Sequence, residues 1–282
     1  MKIFVAGATG VIGCLLLPKL VKAGHEVVGM TRDSGRTELI RGLGAQEHVL
    51  DIFDRQAVFS AIKDIRPDVV IHQLTSLSDR NFQDNARIRI EGTRNLVDAA
   101  KAAGVKRMIA QSIAWAYESG DQPAREEDSL DLDAPLPRKI SIDGIVALEQ
   151  AVAEVADHVI LRYGMFYGPG TWYDIQGEMA KQVQNHQLPA TDGVMSFLHV
   201  KDAAHAALLA LNWPSGPVNI VDDEPAAGID WLPIYAKALQ APAPEYQEGR
   251  QGWERGASNT KARTVYGWEP QYPTWRTELR QM

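Results

Sequence analysis

The chain has 282 residues, 45% of them hydrophobic and 23% charged, the balance of a folded protein rather than a disordered one. Lys and Arg number 29 against 36 Asp and Glu, and the resulting formal charge of −7 excludes a general attraction for nucleic acid or anionic lipid. The one cysteine, Cys14, excludes an intrachain disulfide, and no stretch approaches the roughly 20 apolar residues of a membrane helix, so a cytoplasmic protein is expected.

The first half alternates strand and helix patterns. Lys2–Ala6 reads as a short apolar strand, and Val11–Ala23 as a helix closed by Gly24, although Pro18 inside it breaks a local rule. Its Val11–Leu17 run follows a strand and a glycine turn, which sets it apart from a signal-peptide core. Glu26–Met30 is a second strand, Glu38–Leu43 a short helix and Gln46–Leu50 a third strand. Arg55–Ile65 is a helix that stops before Pro67, and Asp68–His72 is a fourth strand. Asn85–Ala103 is a long helix closed by Gly104, and Arg107–Gln111 a fifth strand. Strands separated by helices of this length are parallel and joined by right-handed crossovers, and their apolar faces on both sides suit a buried sheet. Ser119–Pro137 is an acidic, proline-containing surface loop. Ile140–Ala156 is helical and Val159–Tyr163 a sixth strand. Beyond Gly164, glycine, proline, tryptophan and tyrosine follow in quick succession. The reading is an α/β doubly wound parallel sheet over residues 1–165, completed by a segment within 192–222, with residues 166–282 mainly a smaller substrate-binding lobe.

After the first strand comes Gly7-Ala8-Thr9-Gly10-Val11-Ile12-Gly13. The first glycine allows the sharp turn, the second lets backbone approach a pyrophosphate, and the third lets the helix pack on the sheet. The amides of Val11, Ile12 and Gly13 then face the phosphates, aided by the helix dipole. The second strand ends in Met30-Thr31-Arg32-Asp33, with Arg36 close behind. An acidic residue in the slot held by Thr31 would bind a ribose 2′-hydroxyl, whereas arginine suits a 2′-phosphate. Arg32 and Arg36 therefore favour NADP, while Asp33 keeps NAD open.

These motifs occur with others in a fixed order: Leu50-Asp51, Val70-Ile71-His72, Glu91-Gly92-Thr93-Arg94-Asn95-Leu96, Gly164 to Gly170, and Phe197 to Asp202. In this order the chain resembles the extended short-chain dehydrogenases/reductases, in the NAD-dependent epimerase/dehydratase branch. The resemblance covers nearly the whole chain and implies a Rossmann-type fold. It also implies that Asp51 and Ile52 contact adenine, that Gln73, Leu74 and Thr75 line the cofactor, and that Tyr163, Met165 and Phe166 lie beside the nicotinamide. His72 and His199 read as packed, structural histidines, and Asp202 as a cap or anchor for the helix that follows. Homodimerisation through the Asn85 and Ile140 helices is a further implication.

Proton transfer in that family rests on a Ser or Thr and a Tyr-x-x-x-Lys pair, in which the lysine lowers a tyrosine pKa from about 10. No tyrosine of the expected helix stands four residues before a lysine. Registering that helix on Glu149 puts Ser141 in the tyrosine slot and Ile145 in the lysine slot. The serine motif reads Ser112-Ile113-Ala114-Trp115-Ala116-Tyr117, and Arg89 stands where similar proteins often have asparagine. Tyr163, Tyr117 and Ser112 are the candidates for replacing the lost groups, ahead of Lys139. Trp115, Tyr167, Trp172 and Tyr173 are the candidate pocket lining, and no metal site is indicated. Two functions follow. One is an NADP-dependent oxidoreductase or epimerase-type enzyme acting on a small molecule with a non-standard site. The other is a non-catalytic NADP(H)-binding redox sensor or regulatory protein. The intact turn and the aromatic second half favour the enzyme.

Overall fold

The computed structural model describes residues 1–76 and 82–281. Contacts divide them into two units, the first formed by 1–112, 132–161 and 204–217, the second by 113–131, 162–203 and 218 onward.

The first unit runs through β1 (Lys2–Ala6), α1 (Val11–Lys22), β2 (Glu26–Thr31), α2 (Thr37–Gly42), β3 (Gln46–Val49), α3 (Arg55–Ile65) and β4 (Val69–His72). There follow α4 (Phe82–Arg87), α5 (Thr93–Ala102), β5 (Arg107–Ile113), α6 (Arg138–Val152) and β6 (Asp157–Tyr163). Sequence chemistry explains the boundaries. The Asp54 carboxylate accepts the Ala57 amide at the start of α3 (3.0 Å), and Arg66 ends it in the left-handed region before Pro67. Helix α1 continues through Pro18, which faces solvent, while Leu16, Leu17 and Leu20 are buried.

The later elements are β7 (Met165–Tyr167), α7 (Glu178–Gln184), β8 (Val194–Met195), β9 (Phe197–His199), α8 (Val200–Leu209) and β10 (Gly216–Ile220). The chain ends through β11 (Ala226–Ala227), α9 (Gly228–Ala238), α10 (Thr260–Thr264) and α11 (Trp275–Gln281). The seven-stranded sheet has the order β10-β6-β5-β4-β1-β2-β3, with parallel pairing throughout from β3 to β5. Strand order reverses at β1, which lies between β2 and β4. In such sheets ligands bind beyond the carboxyl ends of the strands at this reversal. Register pairs Ala6 with His72, so Gly7 and Gln73 leave the sheet side by side.

One face of the first unit's sheet packs Phe4, Val28, Val70, Met108 and Ile160 against Val58, Ile62, Leu96, Leu148 and Val152 from α3, α5 and α6. The long helix expected over 85–103 is interrupted. Residues Ile88–Gly92 form a π turn between α4 and α5. Such a turn holds one residue more than an α-turn and leaves carbonyls off register. The Thr93 hydroxyl reaches the Ile88 carbonyl (3.4 Å).

The second unit has an aromatic core. Tyr173 and Phe197 meet edge to face with centroids 5.4 Å apart, as do Phe197 and Trp231 at the same separation, and Trp275 joins them. Two buried aspartates hold the C-terminal segment. Asp202, expected at a helix start, instead lies within α8 and accepts the amides of Gln271 (3.0 Å) and Tyr272 (2.9 Å). Asp222 accepts the amides of Glu224 (3.3 Å) and Trp275 (3.0 Å).

Burial pushes the Asp222 carboxyl up to about 8 from its ordinary 3.8. Between those values the folded chain holds a proton that the unfolded chain has released. This group's contribution to stability is therefore complete at low pH and lost as pH rises towards 8. Asp222→Asn loses a backbone hydrogen bond, about 1 kcal/mol, but also loses this slope. Urea unfolding at pH 5 and pH 8 is expected to show the variant's deficit shrinking as pH rises, and a constant deficit contradicts it.

Candidate active site

The turn after β1 is shaped by absent side chains. Gly7 has φ +92°, and a Cβ there would lie 2.6 Å from the Gln73 carbonyl oxygen. A Cβ on Gly13 would lie 2.2 Å from the Gly7 carbonyl oxygen. Gly10 caps α1 without a side chain, and no acidic residue stands in the first turn. The first amides of α1 therefore lack partners among the described residues and carry the positive end of the helix. Thr9 completes the turn, and Val11 beyond it is 38% exposed. At the neighbouring strand end, both polar atoms of the Gln73 amide are buried without a partner. Open amides, a cradle that any Cβ would fill and an orphaned buried amide together fit a dinucleotide pyrophosphate.

At the end of β2, Thr31 is buried and its hydroxyl accepts the Asp33 amide (3.2 Å). The Asp33 carboxylate accepts the Gly35 amide (2.8 Å), which ties it into its own turn. Arg32 and Arg36 are exposed, and no ion pair joins either to a described residue. Asp51 accepts the Phe53 amide (2.9 Å) and Ile52 is buried beside Gly92. Leu74 and Thr75 continue from Gln73, with the Leu74 amide donated to His72 Nδ1 (3.2 Å). That bond puts the His72 proton on Nε2, which meets Thr93 Oγ1 at 2.9 Å. Burial, then the Arg89 charge, pulls His72 down to about 4, so it is neutral and structural. His199 is also held near 4, by burial and then Lys201, and stacks on Tyr272 at 3.7 Å.

On α6, Ile145 is fully buried and Ser141 is 7% exposed. Both side chains are thus enclosed on the packed side of α6. Lys139 is no substitute, since its ammonium pairs with Asp143 (2.9 Å) on the exposed side. Ser112 donates to the Glu149 carboxylate (2.6 Å), which ties β5 to α6. Arg89, in the π turn, is 6% exposed, and its stem lies against Gly144. Burial lowers its pKa to about 10, which leaves it charged at neutral pH.

The second unit holds Tyr117 and Tyr163. The Tyr117 hydroxyl donates to Asn219 (2.6 Å) and accepts from Arg162 (2.9 Å). Desolvation outweighs the arginine and raises Tyr117 to about 12, so the phenol stays protonated. Tyr163 donates to the Ala203 carbonyl (3.2 Å), and its ring lies 5.3 Å from that of Phe166. A cleft of about 10 Å³, room for one water, is lined by Trp115, Tyr117, Met165, Met195, Ser196 and Trp253. Trp115 and Trp253 meet there with their rings tilted by 47° and centroids 6.3 Å apart. Tyr167 and Tyr173, expected to line a pocket, instead pack in the aromatic core, with Trp172 against it, because together these rings fill its centre. Trp253 and Met195 were not foreseen: Trp253 lies in a turn and Met195 in a two-residue strand, too short to show a periodicity. Arg162 did leave a signal, a charge inside an apolar strand.

A family model, the NAD dependent epimerase/dehydratase family, matches residues 3–221. The chain belongs to that family. Among its relatives, the 3-diazoavenalumate denitrifying reductase of a Streptomyces species is 42% identical over 307 aligned positions, covering 99% of both chains. Among solved structures, the UDP-glucose 4-epimerase of Thermus thermophilus, in complex with NAD, is 25% identical with a TM-score of 0.76, covering all of this chain and 97% of its own. That of Thermotoga maritima, with UDP-glucose, is 23% identical with a TM-score of 0.77 over the same shares.

Gly13→Ala forces a methyl into backbone carbonyls. It is expected to cost about 1–3 kcal/mol of stability by overpacking and to abolish dinucleotide binding. Urea unfolding and a fluorescence titration with NADPH check both, and unchanged affinity contradicts the assignment of the turn.

Proposed function

We propose that the protein is an NADP(H)-dependent reductase that replaces the dinitrogen of an aromatic diazonium group with hydrogen. The observation that carries the reading is the 42% likeness, end to end, to a reductase whose name denotes removal of nitrogen from a diazo compound. The bound dinucleotide would supply the hydride.

The altered slots agree with this chemistry. A carbonyl that takes up a hydride becomes an alkoxide and needs a proton, so a carbonyl reductase keeps a tyrosine and a lysine. A diazonium carbon needs none. The incoming hydride forms a C–H bond, the C–N bond breaks, and its electron pair leaves with N₂, so atoms and charge balance. Ile145 and Ser141 then cost the reaction nothing. Tyr117 and Tyr163, with hydroxyls engaged by Asn219 and Ala203, act as pocket walls rather than proton carriers. Trp115, Trp253, Met165 and Met195 offer flat and polarizable surfaces for an aromatic ring, which the two tryptophans must part to admit.

Gly7, Thr9, Gly10, Val11, Ile12 and Gly13 would hold the pyrophosphate, with Gln73 offering its free amide to the bound dinucleotide. Arg32 and Arg36 would hold a 2′-phosphate, because both stand open while Asp33 is spent on its own turn. The expected homodimer would use α4, the π turn and α6, where Ile90 is 48% exposed and lines a groove with Ala86 and Ile140.

Benzenediazonium incubated with 4-deuterated NADPH is expected to yield singly deuterated benzene and N₂ above the enzyme-free rate, with no label taken from D₂O. No arene above background, or label drawn from solvent, sinks the reading. Arg32→Ala is expected to weaken NADPH binding about tenfold or more, the loss of one charge-assisted contact, with NADH binding unchanged. Equal or tighter NADH binding by the unaltered protein removes the NADP assignment.

A further inference from the structure

The cleft beside Trp115 holds about 10 Å³, whereas a benzene ring fills a cavity of about 150 Å³. A wall must therefore move before an arene enters. Most walls are pinned. The Tyr117 hydroxyl is bonded to Asn219 (2.6 Å) and Arg162 (2.9 Å), and Trp115 stands two residues before it. Met165 lies in β7, which pairs with β9, and Met195 in β8, which pairs with β11. Trp253 comes from a segment of different build. That segment, Gly249-Arg250-Gln251-Gly252-Trp253-Glu254-Arg255-Gly256, has a glycine at each end, both in the left-handed region at φ +103° and +68°. Its two ends are rooted on one short stretch of chain. The Asp192 amide donates to the Gly249 carbonyl (3.2 Å), and its carboxylate accepts the Gly249 amide (2.7 Å). The Val194 amide donates to the Glu254 carbonyl (3.0 Å), and its carbonyl accepts the Gly256 amide (3.1 Å). Partly buried Arg255 pairs with Asp128 (2.9 Å) at this base. The turn is also braced within itself, since the Glu254 carboxylate accepts the Gln251 amide (2.7 Å). The tip, 250–253, is tied more lightly. The Gly252 carbonyl accepts the Gly120 amide (3.1 Å), and Arg250 donates to the Gly120 carbonyl (3.2 Å) and to the Asp121 carboxylate (3.0 Å). The Asp121 side chain is 95% exposed, and a pair of this kind is weak and screened by salt. Glycine ends, a firm root and a lightly tied tip are the build of a flap.

We infer that segment 249–256 is a flap that carries Trp253 out of the cleft to admit the substrate ring and returns it as the closing wall, latched by Arg250 on Asp121. Trp253 is thereby the residue that controls entry. Its neighbours on the flap explain the charge pattern there: Arg255 anchors the base to Asp128, while Arg250 makes the contact that opening breaks. The inference rests on the aromatic cleft proposed above and adds how that cleft is entered.

A Cβ on Gly252 would lie 2.8 Å from Ser119 Cβ, and both residues are exposed. A disulfide needs roughly 3.8 Å between Cβ atoms, a gap that an exposed turn yields. The full-length Ser119→Cys/Gly252→Cys protein, oxidised, therefore holds the flap shut, and the same protein reduced is its folding control. Benzonitrile, the uncharged counterpart of a benzenediazonium ion, is followed by stopped-flow tryptophan fluorescence. Oxidation is expected to slow its association at least about tenfold, because the open form is removed, and reduction to restore it. Asp121→Asn is expected to speed association about twofold to fivefold, the worth of an exposed pair. Added KCl should speed association to the unaltered protein and not to Asp121→Asn. Equal association rates in the oxidised and reduced proteins overturn the inference. An Asp121→Asn protein no faster than the unaltered one overturns it too, as does benzonitrile that fails to bind the unaltered protein. If the oxidised protein excludes benzonitrile while the unaltered one forms no arene from benzenediazonium, the flap stands and the diazo reading falls. If arene forms and the oxidised protein still admits benzonitrile at full rate, the flap alone falls.

Discussion

The close approach of the β1–α1 turn to the end of β4 is the constraint on which the first unit rests. Carbonyl oxygens of Gly7 and Gln73 occupy the space that side chains on Gly13 and Gly7 would need. No packing adjustment relieves a clash with backbone, so the sequence can satisfy this point only with glycine. The pairing of Ala6 with His72 brings the two strand ends together, and the parallel register places the switch in strand order at the same spot. Everything that makes this end of the sheet a binding site follows: open amides on one side, the free Gln73 amide on the other, and a helix dipole pointing between them.

Much of this was legible in the sequence because it is local. The glycine spacing, the strand–helix alternation and the occupants of the α6 slots need only neighbours in the chain. What escaped depends on distance or on small departures from regularity. The Tyr117 hydroxyl is fixed by Asn219, 102 positions away. Tyr173 looks like a pocket residue in its own segment and becomes core only when Phe197 and Trp231 arrive from elsewhere. Asp202 sits near a helix start, yet its partners are amides 69 and 70 positions further on. The π turn adds one residue to a helix whose apolar periodicity otherwise reads through it. Arg89 was visible as a departure, but only the fold shows that it is buried.

The aliphatic Ile145 is fully buried in α6 and contributes apolar packing where a buried ammonium would need a partner. On the reading proposed above, hydride meets a carbon that loses N₂, and no group is needed at that position to deliver a proton.

The two aspartates that grip the C-terminal segment have a consequence for the order of events during synthesis. Asp202 and Asp222 emerge from the ribosome well before Gln271, Tyr272 and Trp275, whose amides they need. Until those residues arrive, two carboxylates destined for burial must stay hydrated. The aromatic core of the second unit also lacks Trp275 until then. The strands β1 to β5 face no such delay, since their partners lie within the first 113 residues. Nascent chains therefore carry an organised dinucleotide cradle before they have a finished second unit, and bound cofactor is positioned to act as a chaperone for the half-made protein.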